Sequence, residues 1–308
     1  MNSNITSRPT VTAMEGLMGV TLNALDHGFV RVVDYMGDDS AIVQAARVSY
    51  GKGTKSVNED RGLIRYLMRK WHTTPFEMCE IKLHVKMPIF VARQWVRHRT
   101  ASINEYSARY SILDKEFYFP SPEQVEAQST TNKQGREGEL PPELVRAWLE
   151  ESVRLADDAY ANYEQAADDK IARELARMGL PLNTYTQWYW KVDLHNLLHF
   201  LRLRADPHAQ QEIREYADVI LHTIVRQWVP LTYEAFRDYR LHAETFSSYE
   251  MELIRLLVRE ATRSWRGYAN ITEEDLRSTL GHVLDHVMHD HVVSDREKSE
   301  LIDKLAKS

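Results

Sequence analysis

Residues 97 to 111 read R-H-R-T-A-S-I-N-E-Y-S-A-R-Y-S, which crowds Arg97, His98, Arg99, Glu105, Arg109 and a series of Ser and Thr hydroxyls into one short stretch. Guanidinium forks and hydroxyls at this density suit a phosphate, because each Arg presents rigid paired donors and each hydroxyl adds a neutral one. The segment before it, Pro88 to Val96, has Pro at a helix start and Ile89, Ala92 and Val96 at helical spacing, which predicts a short helix. Side chains advance about 100° per residue in a helix, so Arg97 and Arg99 would diverge by about 200° if it continued. Both address one ligand only if the helix ends at the motif. Beyond it Ser102, Asn104, Ser107 and Ser111 favour turns, and 100–111 reads as an ordered loop. A lone R-H-R is often only a charged helix end, so the chemistry must be sought in more of the chain.

The elements that must position this segment are mixed. From Cys79 to Met87, apolar Cys79, Ile81, Leu83, Val85 and Met87 alternate with Glu80, Lys82, His84 and Lys86, the period of a half-buried strand. Gly28–Tyr35 reads as a second strand, Asp38 or Asp39 can cap a helix from Ala41 to Val48, and Arg61–Trp71 reads as another helix. The Gln-, Thr-, Gly- and Glu-rich stretch from Glu123 to Pro142 reads as a surface insertion. Helices follow at Glu143–Ala167, at Ile171–Met178 closed by Gly179, and at Pro207–Trp228 with Pro at its start. Helices packed around a small, mostly antiparallel sheet make an α+β fold.

A chain of 308 residues can bury a sizeable core in one elaborated domain or in two. Its formal charge of −6 argues against a general nucleic-acid binder, although a local basic cluster can still hold a nucleotide. The opening M-N-S-N-I-T-S-R-P-T has no basic region followed by an apolar core, and no apolar run reaches the roughly 18 residues of a membrane helix. The reading is a cytoplasmic protein without a membrane partner, in which the sequon Asn270-Ile271-Thr272 is idle. A single Cys79 excludes an intrachain disulfide framework, and on the apolar face of a strand it reads as a small buried side chain.

The pattern Arg97-His98-Arg99, seven residues, then Ser107 resembles the R-H-R-x7-S signature of the flavin-dependent thymidylate synthases, with Asn104, Glu105, Arg109 and Tyr110 also in place. A-A-R-V-S at Ala45 to Ser49, H-T-T-P-F-E at His72 to Glu77, A-R-M-G-L-P-L-N at Ala176 to Asn183 and L-R-A-D-P-H-A-Q at Leu203 to Gln210 extend the resemblance over roughly 20 to 239. It implies a catalytic domain at 20–240 with the family's fold, and leaves 241–308 as a helical extension of unassigned role. The resemblance further implies a methyltransferase that turns deoxyuridylate (dUMP) into thymidylate (dTMP). Methylenetetrahydrofolate would be carbon donor, NADPH reductant and reduced FAD hydride donor, in a homotetramer with sites shared between subunits.

By the same resemblance, dUMP is held by Gln94, Arg97, Glu105, Ser107, Ala108, Arg109, Arg177 and Arg204, with Arg204 polarising the uracil. FAD is held by Ser49, His72, Thr74, Arg97, His98, Arg99, Glu105, Asp193, His195 and His199. The pattern departs from the family at Asp193, His195 and His199, where Asn, Arg and Asn stand, so the flavin's hydrogen bonds there stay open: ionised Asp only accepts and His depends on its tautomer. The residues also allow blander roles, Arg204 as ion-pair partner of Asp206, His72 as a satisfied helix-end histidine, and His208 merely packing beside Arg204. In the extension, Thr272 with Asp275 resembles a helix start, and His282, His286, His289 and His291 read as a solvated helical face with no metal assigned. Two rival functions stand beside the synthase: a flavin- and nucleotide-binding protein without synthase activity, and an RNA-binding protein using the basic and aromatic residues from Arg93 to Tyr110.

Overall fold

The structure, a computed structural model, describes residues 8–48, 57–130, 135–252 and 254–255. Ser49, the sequon at 270–272 and His282, His286, His289 and His291 lie outside the described residues. The chain divides into two compact units, Met1–Leu241 and His242–Ser308. In the second, Ser247 Oγ accepts from Glu250 N at 3.2 Å and starts a helical stretch over 248–252.

The first unit is built on a five-stranded antiparallel sheet in the order β1-β2-β3-β5-β4, with β1 Thr21–Ala24, β2 Gly28–Met36, β3 Glu80–Pro88, β4 Ser102–Glu105 and β5 Tyr185–Asp193. The alternation read from the sequence is kept in β3, where Ile81, Leu83, Val85 and Met87 are buried between half-buried polar neighbours. Helices α1 Thr12–Glu15, α2 Asp39–Val48, α3 Val57–Arg69, α4 Thr74–Glu77, α5 Ile89–Trp95, α6 Pro142–Asp168, α7 Arg173–Ala176, α8 Leu194–Arg204, α9 Gln211–Val219, α10 Arg226–Trp228 and α11 Pro230–Phe236 complete the unit. Asp38 caps α2, its Oδ1 accepting from Ala41 N at 3.0 Å, while Asp39, the first residue of that helix, accepts from Leu231 N at 2.7 Å and from Thr232 N and Oγ1, tying α2 to α11. Burial pushes its carboxyl above the usual range, a cost that these donors offset. Gly28 is required by close approach, since a Cβ there would collide with Tyr216 Oη and Ala24 O. Among the described residues no helix is long and apolar enough to cross a membrane.

Several expectations are corrected. The stretch 100–111 is not loop throughout, because Ser102–Glu105 pairs with β5 as an edge strand; all four residues are exposed, so no apolar alternation betrays it. The helix expected at Pro207 starts at Gln211, and Asp206 Oδ1 accepts from His208 N at 2.8 Å to hold 206–208 in a turn instead. That helix passes into a π segment at Ile220–Val225 before α10. The helix expected to reach Trp71 ends at Arg69, and Trp71 takes a left-handed φ of 61° with the Arg240 guanidinium 3.3 Å from its ring centroid. Such a backbone costs about 1–3 kcal/mol for a bulky residue, so tertiary contacts hold it.

One aromatic cluster joins the sheet to the helices that carry the motif. Trp95, the last residue of α5, stacks on Phe200 of α8 with centroids 4.6 Å apart and planes 28° apart, and Trp190 of β5 meets the two rings at 5.1 and 5.2 Å. All three side chains are fully buried. Phe200→Ala is expected to cost about 3–5 kcal/mol in urea denaturation, the usual loss for a fully buried aromatic, whereas a loss below about 1 kcal/mol would show that the cluster is not where this unit's stability is concentrated.

Candidate active site

Helix α5 ends at Trp95, so the backbone turns as the R-H-R motif begins; Val96 N bonds Ala92 O at 3.0 Å and His98 N bonds Trp95 O at 3.0 Å. The divergence that an unbroken helix would impose on Arg97 and Arg99 is thereby removed, and both line one cleft with His98, Thr100, Asn196, His199, Leu203 and Arg204. Its volume is about 310 Å3, and Trp190 and Val192 of β5 form its apolar floor. Helix α8 supplies the opposite wall because positions 196, 199 and 203 share a face. His195 and His199 also line an adjoining small pocket of about 50 Å3 with His72, Thr73, Trp71, Arg202 and Arg240. His199 belongs to both, which joins them.

At the centre, Arg204 Nε donates to His98 Nε2 at 3.0 Å. Asp206 is engaged elsewhere, with His208, so the expected alternative of an Arg204–Asp206 ion pair is not formed. The bond fixes a tautomer, since Nε2 must be bare to accept and the ring proton then sits on Nδ1. Burial, the Arg204 charge and His199 push His98 down to about 4, so it is neutral at pH 7. Burial and the nearby Arg97 lower Arg204 as well, which marks a cleft where positive charge is crowded and partly desolvated. An anionic ligand would relieve that crowding.

The remaining candidates fall into three groups. Glu105 ends β4 and accepts from Thr186 Oγ1 of β5 at 2.7 Å, and Gln94 donates through Nε2 to Gln210 Oε1. Thr74 starts α4 beside Thr73, and the exposed His72 packs edge-on against Tyr66 at 5.6 Å. Ser107, Ala108 and Arg109 lie past β4 in a turn where Tyr110 N bonds Ser107 O at 3.0 Å and Arg109 N bonds Ser107 Oγ at 3.3 Å. Ala108 is buried in a second apolar cluster with Ala176, and Arg109 Nε lies 3.7 Å from Glu174 of α7, next to which Arg177 begins a 3-10 turn. Ser107, Arg109 and Arg177 are thus gathered in one region, but they do not line the Arg204 cleft of their own chain.

Asp193 has a role that the sequence reading did not assign: it caps α8, accepting from Asn196 N at 2.9 Å and Asn196 Nδ2 at 2.7 Å. An Asp immediately before an apolar run is the signal that would have shown it. Thr186 and Asn196 were missed for the same reason, because β5 and α8 themselves were not foreseen. His208 is strongly exposed and bonds Asp206 Oδ1 through Nδ1 at 2.9 Å, beside the site rather than in it.

Residues 31–231 match the family described as thymidylate synthase complementing protein. The flavin-dependent thymidylate synthase of Gluconobacter oxydans (strain 621H) is 62% identical over 254 residues, 82% of this chain and 84% of that one. The chain belongs to the flavin-dependent thymidylate synthase family. A family member from Rickettsia prowazekii (strain Madrid E) is 58% identical over 269 residues, covering 83% of this chain and 91% of its own. Among solved structures, the UMP/dUMP methylase PolB from Streptomyces cacaoi, bound with 5-Br dUMP, superposes with a TM-score of 0.64 at 33% identity over 71% of this chain and 99% of that one. The R-H-R cleft of this family member lies within the matched region.

A prediction follows from the neutral His98. A histidine held below its ordinary 6.5 contributes stability above that pH and loses it as pH falls towards about 4. Thermal unfolding of the ligand-free chain, followed across that window, should show falling stability, and His98→Gln, which can still accept from Arg204, should flatten the decline. Identical pH curves for the two proteins would show that His98 is not held neutral by its surroundings.

Proposed function

We propose that this chain converts dUMP to dTMP with methylenetetrahydrofolate as carbon donor, NADPH as reductant and FAD as its bound flavin, in the cytoplasm. The observation that carries the reading is the convergence of Arg97, His98, Arg99, His199 and Arg204 on one cleft. The donor set fits a flavin dinucleotide: planar guanidinium groups suit a pyrophosphate and stack on rings, and the neighbouring His72, His195 and His199 offer imidazoles at the adjoining pocket. When bound and reduced, the flavin supplies the hydride for the methyl group.

The chain's own residues position and polarise the nucleotide. Arg204, held through Nε by His98, keeps its two terminal nitrogens for a uracil oxygen, where fixed positive charge withdraws electron density from the ring. Ser107 retains its hydroxyl proton for donation, and with Arg109, Arg177 and the backbone at Ala108 it forms the phosphate cradle. Glu105 and Gln94 complete the nucleotide set, while Ser49, Thr74 and Asp193 complete the flavin set. Cys79 takes no part: it is fully buried, its Sγ faces Asp38 O at 3.5 Å, and burial with the charges of Asp38 and Asp39 pushes the thiol up to about 12. A thiol so rarely ionised cannot be the ring nucleophile.

The phosphate cradle and the Arg204 cleft meet between subunits of a homotetramer. Supporting this, the cradle is surrounded by exposed apolar side chains, Ile103, Tyr106, Tyr110, Leu175, Met178 and Tyr189, of the kind that a subunit contact covers. Ile103→Asp with Tyr189→Asp should yield particles smaller than four chains in light scattering, with lost turnover; a fully assembled, active double variant would remove this surface from the site.

The roles of Arg204 and the cradle separate kinetically. Uracil charge grows during hydride transfer and phosphate charge does not. Arg204→Ala should retain FAD but lose at least about 100-fold in turnover at saturating dUMP, whereas Arg109→Ala should chiefly raise the KM for dUMP. Near-normal saturated turnover in Arg204→Ala would reduce that residue to a binding group.

A further inference from the structure

We infer that Trp71, Arg202 and Arg240, at the rim of the small pocket beside the flavin cleft, hold the aminobenzoylglutamate tail of the folate, its ring on Trp71 and its carboxylates on the two guanidinium groups. The inference rests on the proposed reaction and deepens it, since that reaction names a folate but no residue that binds one. The pocket also includes His72, His195 and His199 and shares His199 with the Arg204 cleft, which puts it beside the proposed flavin. No Asp or Glu is among its lining residues. Arg202 makes a ring contact with Trp71 but no hydrogen bond or ion pair among the described residues. Arg240 donates only to carbonyl oxygens, through Nη1 to Tyr239 at 3.2 Å and through Nη2 to Met68. Burial and the Arg202 charge hold Arg240 below its ordinary value. Two positive charges thus meet in one pocket with no anion among the lining residues to balance them.

Trp71 is an independent sign of a ligand. A left-handed φ of 61° favours glycine, and a bulky residue persists there only where its surroundings hold it. Those surroundings do not bury the ring. It is 59% exposed, with the Arg240 and Arg202 guanidinium carbons 3.3 and 6.0 Å from the ring centroid. An aromatic ring held in a strained turn, flanked by two cations and left open, is a platform for a second ring that carries negative charge. The other anions of the proposed reaction already have partners, the dUMP phosphate in the Ser107, Arg109 and Arg177 cradle and the flavin pyrophosphate at Arg97 and Arg99. The folate and NADPH remain, and the pocket floor decides between them. Met68, Phe76, Leu198 and Phe236 are apolar, and about 50 Å3 is too small for a nucleoside. The edge of an adenine would lose hydrogen bonds against that floor, whereas an aminobenzoyl ring lays a hydrocarbon edge on it. The glutamate that follows the ring brings two carboxylates, one for each guanidinium fork.

The test uses the full FAD-loaded chain with dUMP bound. Tetrahydrofolate, which has no carbon to transfer, is titrated by anaerobic calorimetry beside tetrahydropteroate, which lacks the glutamate. Arg202→Gln should bind tetrahydrofolate about tenfold more weakly with little change in tetrahydropteroate, the scale of one charge-assisted hydrogen bond. Trp71→Gly, which suits the left-handed backbone, should keep or raise thermal stability yet weaken both ligands, a split that a merely structural tryptophan would not give. Should Trp71→Gly fail to fold, Arg202→Gln decides. Folded Arg202→Gln protein that keeps the unaltered chain's affinity for tetrahydrofolate, or loses both ligands equally, would overturn the inference alone. So would a loss confined to FAD content or to the NADPH concentration that half-saturates flavin reduction, since either gives the pocket to another ligand. An unaltered chain that binds dUMP but not tetrahydrofolate would overturn the folate reading, and this subsite with it.

Discussion

The stack of Trp95 on Phe200 is the contact on which the site depends. Trp95 ends α5 and is followed within four residues by Arg97, His98 and Arg99; Phe200 lies four residues before Arg204 and one after His199. Fixing these two rings against Trp190 of β5 therefore fixes both walls of the cleft and its floor. The contact runs on into the site, since the His98 ring meets Phe200 edge-on at 5.0 Å. Rigid aromatic packing in a dry core can hold charged groups in place without help from a ligand, which is what preorganised electrostatics requires.

The same packing has an electrostatic cost. Arg97, Arg99 and Arg204 share a partly desolvated cleft in a chain whose overall charge is −6, so the positive field is local. His98 limits the repulsion by staying neutral, and as an acceptor it steadies Arg204 without cancelling its charge. A carboxylate in that position would hold Arg204 more strongly but would neutralise the charge that the uracil is proposed to feel. The arrangement trades some stability of the empty protein for affinity towards anions.

Much of this was legible in the sequence where local rules decide. The Cys79–Met87 alternation, the α6 helix and the end of α5 at the motif are set by side-chain period and Pro placement, and the structure keeps them. What was hidden depends on partners distant in sequence. β5 mixes Thr, Gln and Lys into a run of Tyr and Trp, and it is a strand because β3 and β4 flank it; β4, wholly exposed, exists only as its partner. The Asp193 cap was hidden behind the expectation of a flavin contact. Within the site, the motif residues Arg97 to Arg99 could be named from sequence, but the bond from Arg204 to His98 spans 106 positions and no spacing rule reaches it.

On the reading proposed above, this fold makes thymidylate by fixed charge and not by a thiol. Cys79→Ala leaves a chain with no thiol at all. Incubated anaerobically with FAD, dUMP, methylenetetrahydrofolate and NADPH, and assayed for dTMP, that protein should form product at close to the rate of the unaltered chain. Folded, FAD-loaded Cys79→Ala protein that makes no dTMP while the unaltered chain does would contradict the account.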